Sequence, residues 1–172
     1  VCNSFKDVAN KRNINLELKN EIGNQTLWFD RDSVEKLIFN LLSNAFKHTS
    51  DGKTISINIK SQPATISIEI IDQGSGMTKD VLNKIFTRFA SFNKDKNQPS
   101  TGIGLSIVKE VADKHHAKIS IESEIDSGSC FSISFPKGID HFKDDTNVLF
   151  DYYENNTHYG NKTEHHSEEF IE

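Results

Sequence analysis

"NLLSNAFKHT", residues 40–49, sets two asparagines four apart and follows them with Lys47 and His48. Asn disfavours a helix interior by roughly 0.6 kcal/mol relative to Ala. The surrounding segment nevertheless reads as a helix. Asp30 and Asp32 offer N-caps. Val34, Ile38, Leu41, Leu42 and Ala45 fall on one side at helical spacing and predict the core face. Ser33, Lys36, Asn40, Asn44 and Lys47 fall on the opposite stripe. Two readings fit that stripe alone, a solvated polar face and a wall for phosphate and metal. An amide oxygen suits Mg²⁺, which prefers oxygen and takes few protein ligands. A lysine beside it counters phosphate charge.

The flanking segments predict a sheet. "TISINIK" (54–60) and "TISIEIID" (65–72) alternate, with Ile55, Ile57 and Ile59, then Ile66, Ile68 and Ile70, on one face. They read as a hairpin joined at "SQPA", buried on one face and wet on the other. "INLEL" (14–18) and the short apolar "TLWF" (26–29) predict two further strands, and "AKISIES" (117–123) and "SCFSISF" (129–135) a second strand pair turning at "EIDSG". Helices are expected at 2–12, with Phe5, Val8 and Ala9 on one side, at 78–86 with Thr78 as cap, and at 104–116. Residues 87–101 lose periodicity and read as a polar lid. Pro136 closes the ordered pattern.

Length and charge narrow the function. The chain has 172 residues, 35% hydrophobic, with a net charge of -5. Residues 137–172 hold nine acidic and three basic side chains, so the first 136 residues are near neutral. No basic field marks a nucleic-acid binder. The acidic stretch reads as an extension or linker. Its His165 and His166 lack a third ligand at a metal-site spacing. Cys2 and Cys130 fit no metal or disulfide pattern and read as reduced thiols. No apolar run reaches the ~18 residues of a membrane helix. The chain begins with Val and is read as a piece of a longer protein.

Three more stretches carry chemistry. In "DQGSGM" (72–77), Asp72 ends a strand and Gly74 and Gly76 follow at once. An ionised Asp accepts hydrogen bonds only, which suits an exocyclic amine such as that of adenine. The glycines allow close backbone approach to a flat ligand. An ordinary turn after a strand fits the same letters. In "STGIGLSIVK" (100–109), Gly102 and Gly104 stand at the mouth of a helix, where free N–H groups favour phosphate. The spacing is neither that of a Walker A loop nor the full Rossmann glycine pattern. "IFTRFAS" (85–91) sets Arg88 between Phe86 and Phe89.

The order of these stretches is what specifies a family. Over residues 1–136 the chain resembles the catalytic ATP-binding domain of bacterial sensor histidine kinases, in the GHKL group with gyrase and heat-shock chaperone ATPases. "NLLSNAFKHT" is similar to the N box, "DQGSGM" to the G1 box, "IFTRFAS" to the F box and "TGIGL" to the G2 box. The resemblance implies an α+β fold, a two-layer sandwich with a mixed, mostly antiparallel sheet packed on helices and an ATP lid. It implies ATP and Mg²⁺ as cofactors and Asn44 as the metal ligand. Asn40 then assists near the phosphates, Lys47 contacts phosphate and His48 lies beside the nucleotide. Asp72 binds the adenine amine, with Gly74, Gly76 and Met77 on that wall and Phe89 in the F box. Thr101, Gly102, Ile103, Gly104 and Leu105 frame the phosphates, and Arg88 reaches the γ-phosphate.

Asn40 also bears on the reaction. Hydrolytic relatives carry a Glu at that position as the base for water, and Asn cannot serve. The resemblance therefore implies transfer of the γ-phosphoryl group to a histidine on a separate dimerisation domain. The alternatives are a GHKL-type ATPase and a non-catalytic nucleotide-sensing module. Ser100 departs from the glycine common before "TGIG", and Lys36 from the Glu, Gln or His common there. The acceptor histidine is not found in this chain, so autophosphorylation of the isolated fragment is not expected. The implied partners are the dimerisation domain of the same parent and a response-regulator receiver, towards which residues 137–172 lead in a hybrid kinase. The fragment is expected to be monomeric and cytoplasmic, free of nucleic acid and membrane contact, with the parent anchored in the inner membrane.

Overall fold

The alternating isoleucines form the centre of the sheet. In the computed structural model, which describes residues 1–23, 27–87 and 102–142, β2 (Thr54–Ser61) and β3 (Thr65–Asp72) make an antiparallel hairpin. Ile57 stands opposite Ile70 and Ile59 opposite Ile68. β5 (Gly128–Pro136) flanks β3 antiparallel, setting Phe131 against Ile70 and Ile133 against Ile68. β4 (Lys118–Glu124) closes that edge, antiparallel to β5. β1 (Asn15–Asn20) closes the other edge, parallel to β2. The order is β1-β2-β3-β5-β4, a five-stranded mixed sheet. A parallel pair needs a crossover, and α2 (Arg31–His48) supplies it.

One face of the sheet carries the helices. α2 packs on β3 and on α4 (Gly104–Lys114), α1 (Cys2–Lys11) on β1, and α4 on β4. α2 buries Val34, Leu37, Leu41, Leu42, Ala45 and Phe46. Each large side chain so buried contributes about 1.5–3 kcal/mol. The core face is therefore wider than the sequence pattern implied, since Leu37 and Phe46 join it and Ile38 is only partly buried. The Phe46 ring stacks on Phe5 of α1 with centroids 5.1 Å apart. Ile55, Ile66 and Ile133 are fully buried. The opposite face is polar and half-exposed, with Lys60 paired to Glu69 at 2.8 Å.

Four expectations are corrected. Leu27–Phe29 forms no strand. The segment leaves the sheet and leads to Asp30, whose N–H donates to His115 Nε2 at 2.9 Å. Thr26 and the greater part of the proposed lid, 88–101, lie outside the described residues. The helix at 78–86 is only α3 (Lys79–Leu82), capped by Thr78 as expected. It stops at Asn83, a poor helix former, and the chain turns so that Ile85 is buried. Val8 is 42% exposed rather than packed. Pro136 does not end the order. Lys137 N–H donates to Ala64 C=O, and a 3₁₀ turn, Asp140–Phe142, follows. Phe142 is buried edge-on against His115 at 6.1 Å and His116 at 5.9 Å.

Asp30 caps α2 by accepting from the Ser33 N–H, and its carboxylate also takes the Ser33 hydroxyl at 2.7 Å. The Ser33 hydroxyl is the main cause that lowers its pKa to about 2, against the opposing effect of burial, with the Ser33 N–H and Lys114 adding to it. Because that pKa lies below the unfolded one, the stabilisation is complete above about pH 4 and fades as pH falls towards 2. Asp30→Ala is expected to cost about 1 kcal/mol at pH 7 in chemical denaturation. The gap to wild type should narrow as pH falls from about 4 towards 2. A gap that stays unchanged over that range would show that the cap does not act through its charge.

Candidate functional site

The polar stripe of α2 faces away from the core, as its spacing implied. Asn40, Asn44 and Lys47 are half-buried and His48 is exposed. From Asn40 to His48 the helix advances about 12 Å at 1.5 Å per residue. Each end of this span meets one glycine motif.

At the Asn40 end, the amide Nδ2 donates to the Lys36 C=O at 2.8 Å. That bond fixes the amide so that Oδ1 turns to the start of α4. A Cβ on Gly104 would lie 2.8 Å from Asn40 Oδ1, so any side chain there displaces the Asn40 amide. Ile103 is the N-cap of α4, 37% exposed, and Leu105 packs on the core. Gly102 takes a positive φ of 65° just before. The first N–H groups of α4 and its positive dipole end thus lie beside Asn40.

At the His48 end, the loop after β3 is gripped from two sides. Ser75 N–H donates to the His48 C=O at 3.2 Å, and Ser75 C=O accepts from Asp126 N–H at 2.8 Å. A Cβ on Gly74 would lie 2.6 Å from both Asp72 Oδ1 and the His48 carbonyl oxygen. Gly76 takes φ 63° and presses on the Glu124 carbonyl at the end of β4, where a Cβ would overlap it. Only glycine meets both demands at that position. Met77 packs against the core just after.

Asp72 sits at this end, 6% exposed, its Oδ1 accepting from Gly74 N–H at 2.8 Å. Burial pushes its carboxyl above the usual range, while the Gly74 and Ser129 N–H groups pull it back. The His48 ring lies at the surface, yet desolvation by its neighbours, with Lys47 adding, lowers its pKa. Between the two ends, the Asn44 side chain makes no hydrogen bond among the described residues. Its amide oxygen is a neutral donor that fits the oxygen preference of Mg²⁺.

The structure thus brings Asn40 to Gly104, and His48 to Asp72, Gly74 and Ser75, with Asn44 and Lys47 between. Arg88, Phe89 and Thr101 lie outside the described residues. Ser75 and the β4–β5 turn escaped the sequence reading, because nothing local marks a contact between residues about fifty apart in the chain. A cleft of about 370 Å³ opens beside the end of β3, lined by Ile71, Asp72, Glu122, Glu124 and Cys130. Its carboxylates repel a polyphosphate, so it does not compete with the α2 site for that ligand.

The family profile described as "Histidine kinase-, DNA gyrase B-, and HSP90-like ATPase" matches residues 29–139, which span α2, both glycine motifs and β5. The chain belongs to that family. Histidine kinase P4 of Formosa agariphila is 32% identical over 155 residues, covering 87% of this chain and 11% of its own. Sensor histidine kinase TmoS of Ectopseudomonas mendocina is 36% identical over 141 residues, covering 79% of this chain and 14% of its own. The chain is thus about an eighth of the length of these relatives. The catalytic domain of histidine kinase ThkA superposes with a TM-score of 0.69 at 24% identity, over 78% of this chain and 87% of that one. ThkA in complex with response regulator protein TrrA superposes at 0.66 and 21% identity, over 80% and 38%. The ATP-binding fold of histidine kinases is therefore the fold of this chain.

Asp72 tests the site against the fold. Its raised pKa means that ionising it in the folded chain costs stability at neutral pH. Asp72→Asn keeps an oxygen for Gly74 N–H and removes the charge. Its thermal midpoint is expected to equal or exceed that of wild type at pH 7, while adenine-nucleotide binding is lost. A clear fall in the midpoint would show that the carboxylate serves the fold instead.

Proposed function

We propose that this domain binds ATP with Mg²⁺ along α2 and supplies the γ-phosphoryl group to a histidine on a separate dimerisation domain. The carrying observation is the stripe Asn40–Asn44–Lys47, which runs between the Asp72–Gly76 loop and the first turn of α4. Asp72 accepts from the adenine amine, Lys47 counters phosphate charge, and the free N–H groups of α4 take phosphate oxygens. Asn44 would hold Mg²⁺ through its amide oxygen, and the ion would supply charge neutralisation for the phosphates. Arg88 and Phe89, and the lid that ends at Thr101, complete this assignment as proposals from the sequence.

Asn40 favours transfer over hydrolysis. Its amide is already committed to the Lys36 carbonyl, and no amide accepts a proton from water near neutral pH. Phosphoryl transfer relies on position and charge neutralisation, which this wall supplies without a base of its own. The partners are proposed to be the dimerisation domain of the parent and a response-regulator receiver. The kinase names of P4 and TmoS and the ThkA–TrrA complex support this reading. No helix among the described residues is long and apolar enough to cross a membrane, and anchoring of the parent is proposed for segments outside this domain. We place the domain proper at 1–136 with 137–172 as its extension, Asp140–Phe142 docking back onto it.

Calorimetry with a non-hydrolysable ATP analogue tests the assignment. Asn44→Ala should weaken binding about tenfold or more in Mg²⁺ and leave the weaker metal-free binding unchanged. Equal losses with and without the metal would remove Asn44 as ligand. The isolated chain should form no acid-labile phosphohistidine and show negligible steady-state ATPase activity. Robust ATP hydrolysis would favour the ATPase alternative.

A further inference from the structure

Arg12 follows the last residue of α1 and lies far in sequence from every motif above. Its guanidinium uses all three nitrogens. Nε pairs with Asp51 at 2.8 Å, Nη1 donates to the Phe46 C=O, and Nη2 donates to the Thr49 C=O at 2.6 Å. The last two acceptors are carbonyls at the C-terminal end of α2, which the helix itself leaves without partners. Between them in sequence is the His48 carbonyl, which accepts Ser75 N–H. One turn of α2 therefore ties the N-terminal helix to the loop that carries Asp72.

Other contacts reinforce the grip. Arg12 C=O accepts from Gly52 N–H at 3.2 Å and Asn15 N–H donates to Lys53 C=O at 2.9 Å, so the turn after α1 is stitched to the turn after α2. Phe5 stacks on Phe46, the same residue whose carbonyl Arg12 holds. A fork of fixed planar geometry sets the direction of the carbonyls it binds, which a lysine ammonium does not.

We infer that Arg12 is a positioning residue for the nucleotide site. It fixes the last turn of α2, and through the His48–Ser75 hydrogen bond it sets the position of the Asp72–Gly76 loop. The pose of α1 against α2 is thereby transmitted to the adenine end of the site, and a shift of α1 changes nucleotide affinity. The affinity part rests on the ATP reading above, whereas the coupling of Arg12 to Ser75 does not.

Hydrogen exchange of the unliganded chain tests the coupling directly. Arg12→Ala should lose protection selectively at Ser75 and in the last turn of α2. Ile133→Val, a core variant that lowers stability without touching this turn, should raise exchange without that selectivity. Arg12→Lys should fail to restore Ser75, while Asp51→Ala, which leaves both carbonyl bonds in place, should behave as wild type. By calorimetry, Arg12→Ala should weaken ATP and ADP binding by the same factor, about five- to tenfold, because the defect is at the adenine end. Wild-type protection at Ser75 in Arg12→Ala would overturn the inference. So would a loss in Arg12→Ala no more selective than in Ile133→Val. If wild type binds no adenine nucleotide, the ATP reading fails and the exchange result alone still judges Arg12.

Discussion

Three neighbouring carbonyls at the end of α2 accept hydrogen bonds from outside the helix. Phe46 and Thr49 take the Arg12 guanidinium, and His48 takes the Ser75 amide. A free helix end would leave such groups to water. Here they fix two distant segments to one rigid rod, whose other side is cemented into the core by Leu37, Leu41 and Leu42. The opposite end of the rod is held as firmly. His115 at the end of α4 accepts Asp30 N–H, and its Nδ1 lies 2.7 Å from the Val111 C=O, which assigns the ring proton to Nδ1. A site assembled from three separate segments needs such a rod, because none of the segments holds a ligand alone.

Asp72 shows the cost of that assembly. It ends an inward-facing row of isoleucines and is nearly as buried as they are. A hydrophobic residue there would suit the sheet better, and the carboxyl's raised pKa records the mismatch. The Gly74 and Ser129 N–H groups partly compensate. Tension of this kind between local rules and an observed residue is expected where a protein has a ligand to recognise. Asn40 and Asn44 repeat it on α2, as helix-disfavouring residues on the half-buried polar stripe off the core.

Much of this was legible in the sequence because it is periodic. The isoleucines of β2 and β3 set the strands and their buried face, and the spacing Asn40, Asn44, Lys47 put the polar stripe off the core. The two glycine motifs were visible as letters, and their order along the chain specified the family. What could not be read was tertiary. The grip of Arg12 on Phe46 joins residues 34 apart, and that on Thr49 joins residues 37 apart. Gly76 needs its missing side chain because of Glu124, which belongs to another strand. Leu27–Phe29 has strand letters but no ladder to join. Phe142 stands in a mostly polar stretch without periodicity, so no pattern announces its burial against His115.

The central claim is that one wall of the nucleotide site is the outward stripe of α2 and that both glycine motifs close on it. Backbone amide shift mapping with a non-hydrolysable ATP analogue and Mg²⁺ tests it most directly. The account predicts the large shifts at 40–49, 73–77 and 102–105, with residues on the polar outer face of β2 and β5 unmoved. Shifts concentrated around the acidic cleft of Glu122, Glu124 and Cys130, with 40–49 silent, would contradict it.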